Sequence, residues 1–173
     1  MKFRIKTILT RIKPGPAIAK SIAVLLSYLL GAYITGSFHE GSRYMGAMLA
    51  AISGIVVLQD DFKTSIHQGW LRVAGTFIGS CIAYAYLTWF PFTIIGMVIS
   101  VLILDLLCMA IGLPDGSKMA AITLVVIMIV SIMSPDIPPL LNGLLRFTEA
   151  TVGALIGISL AWIFQHIPAK KSS

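Results

Sequence analysis

The chain has 173 residues, of which 57% are hydrophobic and 12% are charged, whereas a soluble domain carries about 25% charged residues. This balance excludes an ordinary soluble domain and predicts a membrane protein of one domain. The net charge of +6 does not indicate a nucleic acid partner, because the basic residues lie at the edges of the apolar segments.

Residues 1–16 form a basic segment before the first apolar run. Residues 1–13, MKFRIKTILTRIK, hold five basic residues, and four apolar residues recur at helical spacing: Ile5, Ile8, Leu9 and Ile12. This spacing predicts a short amphipathic helix lying on an anionic leaflet. A frayed basic tail is the alternative. The PGP sequence at 14–16 separates this segment from the first apolar run.

Six apolar runs within residues 17–166 predict an all-α fold of six transmembrane helices, followed by a basic C-terminal tail, 167–173. The runs lie near 17–37, 44–58, 70–90, 92–113, 118–134 and 144–165. A helix needs about 20 residues to cross a ~30 Å hydrocarbon core. The second and fifth segments, Tyr44–Leu58 and Met119–Met133, are shorter than that.

The positions of lysine and arginine predict the orientation of these helices. With the N-terminus inside, 11 basic residues fall on the inner side, and only Arg43 and Arg146 fall on the outer side. The sequence therefore predicts a multi-pass protein of the bacterial inner membrane with both termini in the cytoplasm.

The third and sixth runs begin with related sequences. GWLRVAGTFIG starts at Gly69 and GLLRFTEATVGALIG starts at Gly143, and each has an arginine three residues after that glycine and a later Gly-x-x-x-Gly. Each follows a short segment and an aspartate. Because three helices are an odd number, the second copy enters the membrane from the opposite side. This predicts two inverted three-helix repeats, a plan common in secondary transporters.

Arg72 and Arg146 are the candidate substrate-binding residues. Arginine keeps its charge in proteins, it binds carboxylates through two parallel hydrogen bonds, and arginines in a pore favour anions. Their places in the two halves predict one arginine at each membrane face. The alternative is that each snorkels at its own helix end or pairs with a nearby acid.

Asp105 and Glu149 are the candidates for proton coupling. Asp105 lies within the fourth apolar run, where an unpaired carboxylate costs about 2.5–3.5 kcal/mol. It therefore either couples a proton or forms an ion pair with Arg72 or Arg146. Glu149 lies three residues after Arg146, on the same helix face, which also fits an ion pair within the helix.

Small residues on the third and sixth helices are candidates for helix packing: Gly75, Thr76, Gly79, Gly153 and Gly157. Small faces let two helices approach closely. The contact is either within the fold or between two copies of the chain.

The sequence offers no pattern for metal or cofactor binding or for catalysis. Cys81 and Cys108 lie in apolar runs and are interpreted as small core residues, not as a disulfide. His39, His67 and His166 are far apart in sequence, and no metal-binding motif occurs. No catalytic serine motif and no phosphate-binding Gly-rich loop occur either. We therefore expect no metal, no cofactor and no enzyme activity.

LQDDFKTSIHQGWLRVAGTFIGSCIAYAYL resembles the fusaric acid resistance and aromatic acid exporter superfamily, through Arg72, Gly75, Thr76 and Gly79. LLRFTEATVGALIGISLAWIF is similar to that family's sixth helix, and plant aluminium-activated malate transporters are similar in the same six-helix unit. The resemblance implies a dimer with an anion path lined by Arg72 and Arg146. Many members carry a further domain, which this sequence of 173 residues does not show.

Three functions fit these observations. The first is a homodimeric permease for the efflux of organic anions, with aromatic carboxylates as the expected substrates. The second is a passive anion channel with the same residues. The third is a membrane subunit that transports nothing itself and pairs with another protein, in which the arginines and Asp105 form a closed structural network.

Overall fold

The computed structural model describes residues 14–166, which form six α-helices and one 3-10 helix. The α-helices are α1 (Pro14–Phe38), α2 (Arg43–Val57), α3 (Phe62–Trp89), α4 (Ile94–Ala110), α5 (Pro114–Met133) and α6 (Pro139–His166). The 3-10 helix Glu40–Ser42 joins α1 to α2. The prediction of six helices and an all-α fold is confirmed for this part of the chain, which contains no strand. The amphipathic segment expected at 1–13 and the tail expected at 167–173 lie outside it.

The helices begin and end where local chemistry permits. The PGP sequence forms the first turn of α1, where proline has no helical hydrogen bond to lose. Asp61 caps α3, and its side chain accepts a hydrogen bond from the Thr64 amide at 3.0 Å. After α4, Gly112 has a φ of 75°, a conformation that glycine adopts at no steric cost.

Three helices are long and apolar enough to cross a membrane: α1, α5 and α6. Helix α4 is also apolar but shorter, with 17 residues. Helix α2 is short as predicted, with 15 residues. The prediction that the fifth segment is equally short is wrong, because α5 begins at Pro114 and has 20 residues. Its first turn is polar and therefore lay outside the apolar run.

The two longest helices, α3 and α6, pack against each other in antiparallel directions. Ser80 donates a hydrogen bond to the Gly143 carbonyl, and the glycine at 69, near the other end of the contact, approaches Ile158. Helix α5 packs on α3, and α2 packs on α6. Helix α1 lies against α2 and α6, and α4 lies against α5. Helices α2 and α5 do not pack closely against each other.

Two apolar clusters hold these helices together. One joins α3, α4 and α5 through Ala83, Leu104, Cys108, Ala120, Leu124, Ile127 and Met128. The other joins α1, α6 and the end of α2 through Ala19, Ala23, Leu58, Leu160 and Ala161. Cys108 is a core residue, as the sequence predicts, but Cys81 is exposed, which corrects that prediction. It lies on the outward face of α3 with Phe77 and Tyr84.

The outward surface is apolar. Helix α4 exposes large side chains along most of its length: Ile94, Ile95, Val98, Ile99, Leu102, Ile103, Leu106 and Leu107. Water would oppose this exposure at roughly 25 cal/mol per Å², whereas lipid tails solvate such a surface. Together with the spans of α1, α5 and α6, this surface makes the chain a membrane protein with transmembrane helices.

Candidate functional site

Arg72 lies inside the fold and not at the N-terminus of its helix. It is the eleventh residue of α3, because α3 begins at Phe62 and not near residue 70, so about 15 Å of helix precede it. Only 4% of Arg72 is exposed. Its Nε donates a hydrogen bond to Ser53 Oγ on α2 at 3.0 Å, and one terminal nitrogen lies 3.5 Å from the Met119 sulfur on α5. No carboxylate within the described residues pairs with it.

Arg146 is equally buried but has an acidic neighbour. It is the eighth residue of α6, and 3% of it is exposed. Its Nη1 lies 3.0 Å from Glu149 Oε2, so the ion pair predicted from the i,i+3 spacing is present. None of its guanidinium nitrogens has a hydrogen-bond partner within residues 14–166. Arg146 and Glu149 therefore form an ion pair without a hydrogen bond, because the N–H groups of Arg146 do not point at the carboxylate.

Glu149 is fully buried and is held by a second helix. Thr35 Oγ1, on α1, donates a hydrogen bond to Glu149 Oε1 at 2.6 Å. Gly46, on α2, provides the space, since a Cβ at that position would stand 2.6 Å from the same oxygen. The carboxylate is thus fixed by contacts from α1, α2 and its own helix.

The two arginines line one cavity. Its volume is about 10 Å³, which is room for one water molecule. The other lining residues come from α2, α5 and α6: Leu49, Ile122, Thr123, Val126 and Ala150. This corrects the expectation of one arginine at each membrane face. The apolar runs began too late to show that α3 and α6 extend beyond them, so both arginines lie deeper than expected.

Asp105 does not belong to this cluster. It is the twelfth residue of α4, it is half-buried, and it forms no ion pair or hydrogen bond with another described residue. The alternative in which Asp105 pairs with Arg72 or Arg146 is therefore not what the structure contains. Helix α4 lies at the edge of the molecule, against α5 and the end of α3, and the arginines point elsewhere.

The small residues of α3 and α6 lie at close helix contacts within the fold. A Cβ at Gly75 would stand 2.7 Å from the Gly116 carbonyl of α5, and one at Gly157 would stand 2.9 Å from the Gly54 carbonyl of α2. Gly79 and Gly153 meet the same two helices. Thr76 accepts a hydrogen bond from Thr123 Oγ1 of α5 at 3.3 Å. The glycines therefore bring α5 onto α3 and α2 onto α6.

Sequence reasoning did not single out Thr35, Ser53 and Thr123. All three are buried and lie on or beside the arginine cluster. The sequence does contain a signal for Thr35, because small residues recur every four positions along α1: Ala19, Ala23, Ser27, Gly31 and Thr35. That stripe is buried against α2 and α6.

A further polar contact lies at the end of the molecule where α1 ends and α6 begins. His39 Nε2 lies 2.6 Å from Asp136 Oδ2, and His39 Nδ1 lies 3.1 Å from Ser42 Oγ. The hydrogen bond from His39 holds the pKa of Asp136 below its ordinary value. The described residues contain no cluster of three or more groups that could hold a metal ion.

One comparison with known proteins decides the family. The family model described as fusaric acid resistance protein-like matches residues 22–160, which include five helices entirely or nearly so and most of α1. The chain belongs to the fusaric acid resistance protein-like family. This is a transporter family, and it supports a membrane transport or resistance function. No curated protein and no solved structure gives a significant match to the chain.

Proposed function

We propose that this member of the fusaric acid resistance protein-like family is an inner-membrane permease that exports organic anions, aromatic carboxylates among them. The observation that carries the proposal is the pair of buried arginines on one cavity. Arg146 has no hydrogen-bonded partner for its N–H groups within residues 14–166, and Arg72 has no acid beside it there. A buried guanidinium without such partners is costly, and a carboxylate supplies both the charge and the acceptors it lacks.

A carboxylate needs more room than the cavity of about 10 Å³ provides, so binding in this proposal requires the site to open. The packing supports that step, because α2 and α5 do not pack closely against each other. Movement of α2 with α6, or of α5 with α3, would widen the cavity and keep the close glycine contacts within each of these two helix pairs. Transporters built from repeats work by such movements of whole units.

We propose that the two halves, α1–α3 and α4–α6, are an inverted repeat that crosses the membrane six times. The packing supports this, because α3 lies on α5 as α6 lies on α2, in each case through a Gly-x-x-x-Gly. We also propose a homodimer in the lipid bilayer, which the resemblance to the exporter superfamily implies.

Asp105 is our candidate for proton coupling, because it is a half-buried carboxylate without an ion-pair partner in residues 14–166. Replacing it by asparagine removes its ability to take up a proton and keeps its shape. We expect Asp105→Asn to reduce the dependence of transport on the pH gradient. Unchanged transport by Asp105→Asn across the pH range would contradict the coupling role.

The test of the anion site is a flux assay with purified protein in liposomes and a panel of aromatic and aliphatic carboxylates. We expect Arg72→Ala and Arg146→Ala each to lower flux at least tenfold, because a lost charge-assisted hydrogen bond is worth roughly 1.5–3 kcal/mol. Arg43→Ala is the matched control, since Arg43 is exposed and pairs only with Glu40 at 3.2 Å among the described residues. Equal flux from wild type and Arg72→Ala would rule out the anion site.

The same assay distinguishes the proposed permease from a passive anion channel and from a membrane subunit that transports nothing. Flux that follows only the voltage and the anion gradient, without a pH gradient, would favour a passive channel. The ion pair of Arg146 with Glu149 and the bond from Thr35 favour a non-transporting subunit as the second candidate, because they resemble a closed structural network. In that case purified protein gives no flux, and the arginine variants lose stability alone.

A further inference from the structure

The arginine cluster carries a net charge that can be counted. Arg72 and Arg146 contribute two positive charges, because arginine does not lose its proton in proteins. Glu149 does not line the cavity, but when ionised it contributes one negative charge at 3.0 Å from Arg146. The remaining residues that line the cavity are uncharged. The cluster therefore holds a net charge of +1, and a single negative charge would neutralise it.

Glu149 is a fixed part of this cluster, not an acid that can turn away. Its side chain is fully buried, and Thr35 Oγ1 donates to one of its oxygens at 2.6 Å. Gly46 brings α2 within contact of that oxygen, which leaves no space for another side chain. An anion that enters the cavity thus meets the two arginines, and the carboxylate of Glu149 stays beside Arg146 at 3.0 Å.

We propose that Glu149 makes the site selective for anions of one negative charge, which are monocarboxylates. This rests on the proposed function and names its substrate class. A dicarboxylate would leave an excess negative charge in a buried site, where an unpaired charge costs far more than in water. Without the negative charge of Glu149, the two positive charges of the arginines would equal the two negative charges of a dicarboxylate.

The test compares benzoate with terephthalate, which is the same aromatic ring with a second carboxylate. Flux of each is measured in liposomes at about pH 8, where carboxylic acids are ionised, and flux into protein-free liposomes is subtracted. We expect wild type to carry benzoate at least tenfold faster than terephthalate. We expect Glu149→Gln to raise the ratio of terephthalate to benzoate flux at least tenfold, since it removes the charge and keeps the shape.

Two variants serve as controls. Glu149→Asp keeps the charge, so its flux ratio should remain that of wild type even where its total flux falls. Glu40→Gln removes an exposed acid outside the cluster, and it should leave the ratio unchanged. Size-exclusion elution shows whether each variant is folded. If Glu149→Gln does not fold, the wild-type ratio still decides, because equal flux of the two substrates contradicts the proposal.

The outcomes separate this inference from the proposed function. Flux that depends on Arg72 and Arg146 but has the same ratio in wild type and Glu149→Gln would overturn the inference alone. Absence of flux in wild type, or flux unaffected by loss of either arginine, would overturn both.

Discussion

Arg72 and Arg146 are both buried, but only Arg146 has an opposite charge beside it. Among the described residues, the polar contacts of the Arg72 side chain are a hydrogen bond to the Ser53 hydroxyl and a contact with the Met119 sulfur. Arg146, in contrast, lies beside the Glu149 carboxylate. A hydroxyl offers a dipole and not a charge, so the positive charge of Arg72 is the one left without compensation. In the proposed permease Arg72 would therefore attract the anion most strongly, and Arg146 would orient it.

A pH-dependent contribution to stability is expected from His39 and Asp136. The hydrogen bond from His39 lowers the pKa of Asp136, so the contact stabilises the fold above the ordinary aspartate pKa of about 3.9. That contribution is lost as the pH falls through the lower pKa of the folded state. We expect His39→Gln to lower the thermal midpoint by about 1–2 °C at pH values of about 5 and above. The difference from wild type should vanish at about pH 2.

Thermal unfolding in detergent at several pH values measures this effect. His67→Gln is the control, because His67 is exposed and has no polar partner in residues 14–166. A destabilisation by His39→Gln that is the same at acid and neutral pH would contradict the role of the Asp136 carboxylate.

The charged residues of the site could be predicted from the sequence, but the polar residues that hydrogen-bond to them, Thr35 and Ser53, could not. The contact of Arg146 with Glu149 follows from a spacing of three residues on one helix. Thr35 is 114 residues away from Glu149 in sequence, and no local pattern connects them. The depth of Arg72 was also not predictable, because hydropathy measures the apolar part of a helix and not its full length.

Helix α3 shows the same limitation at the scale of an element. The predicted run starts near residue 70, but α3 begins at Phe62 and includes a polar stretch before Gly69. Asp61 caps this extension, and a capped helix can continue beyond the apolar region because its backbone hydrogen bonds are internal. The Gly-x-x-x-Gly contacts, in contrast, follow from residue size, which the sequence states directly.

Close packing between α6 and α2 can be tested with two glycines of the same helix. A Cβ at Gly153 would stand 2.6 Å from Ser53 Cβ and 2.9 Å from the Gly54 nitrogen, so the α2 backbone would have to move. We expect Gly153→Ala to destabilise the protein by about 1–3 kcal/mol. A Cβ at Gly143 would meet Ser80 Cβ at an ordinary 3.5 Å.

Gly143→Ala is therefore the matched control. It should leave stability unchanged or raise it by up to about 1 kcal/mol, since alanine favours a helix over glycine. Thermal midpoints in detergent give both values. Equal stability of the two alanine variants would show that the contact between α6 and α2 is looser than these distances require.

At the scale of the whole molecule, the position of the site changes how the basic residues are counted. Arg72 and Arg146 are buried in the cavity and do not face either aqueous side, so they do not contribute to the positive-inside rule. Without them the inner side keeps ten of its 11 basic residues, and Arg43 is the one that remains outside. The bias thus becomes stronger, and it still predicts that both termini are cytoplasmic.

The loops fit six crossings of the membrane. His39 follows α1 and Asp136 precedes α6, and their contact places both loops at one end of the molecule. Six crossings require this, since the loop after the first helix and the loop before the last helix then face the same side. Asp115, at the start of α5, should face the opposite side together with Lys63.

Cysteine labelling tests this arrangement in spheroplasts. In a chain in which Cys81 and Cys108 are replaced by serine, Ser37→Cys should react with a membrane-impermeant maleimide from outside. Asp115→Cys should react only after the membrane is lysed, because its side chain is exposed and the predicted orientation puts it on the cytoplasmic side. Both should react after detergent solubilisation, which controls for burial. Labelling of Asp115→Cys in intact spheroplasts would contradict the orientation, and labelling of both positions from one side would contradict the six crossings.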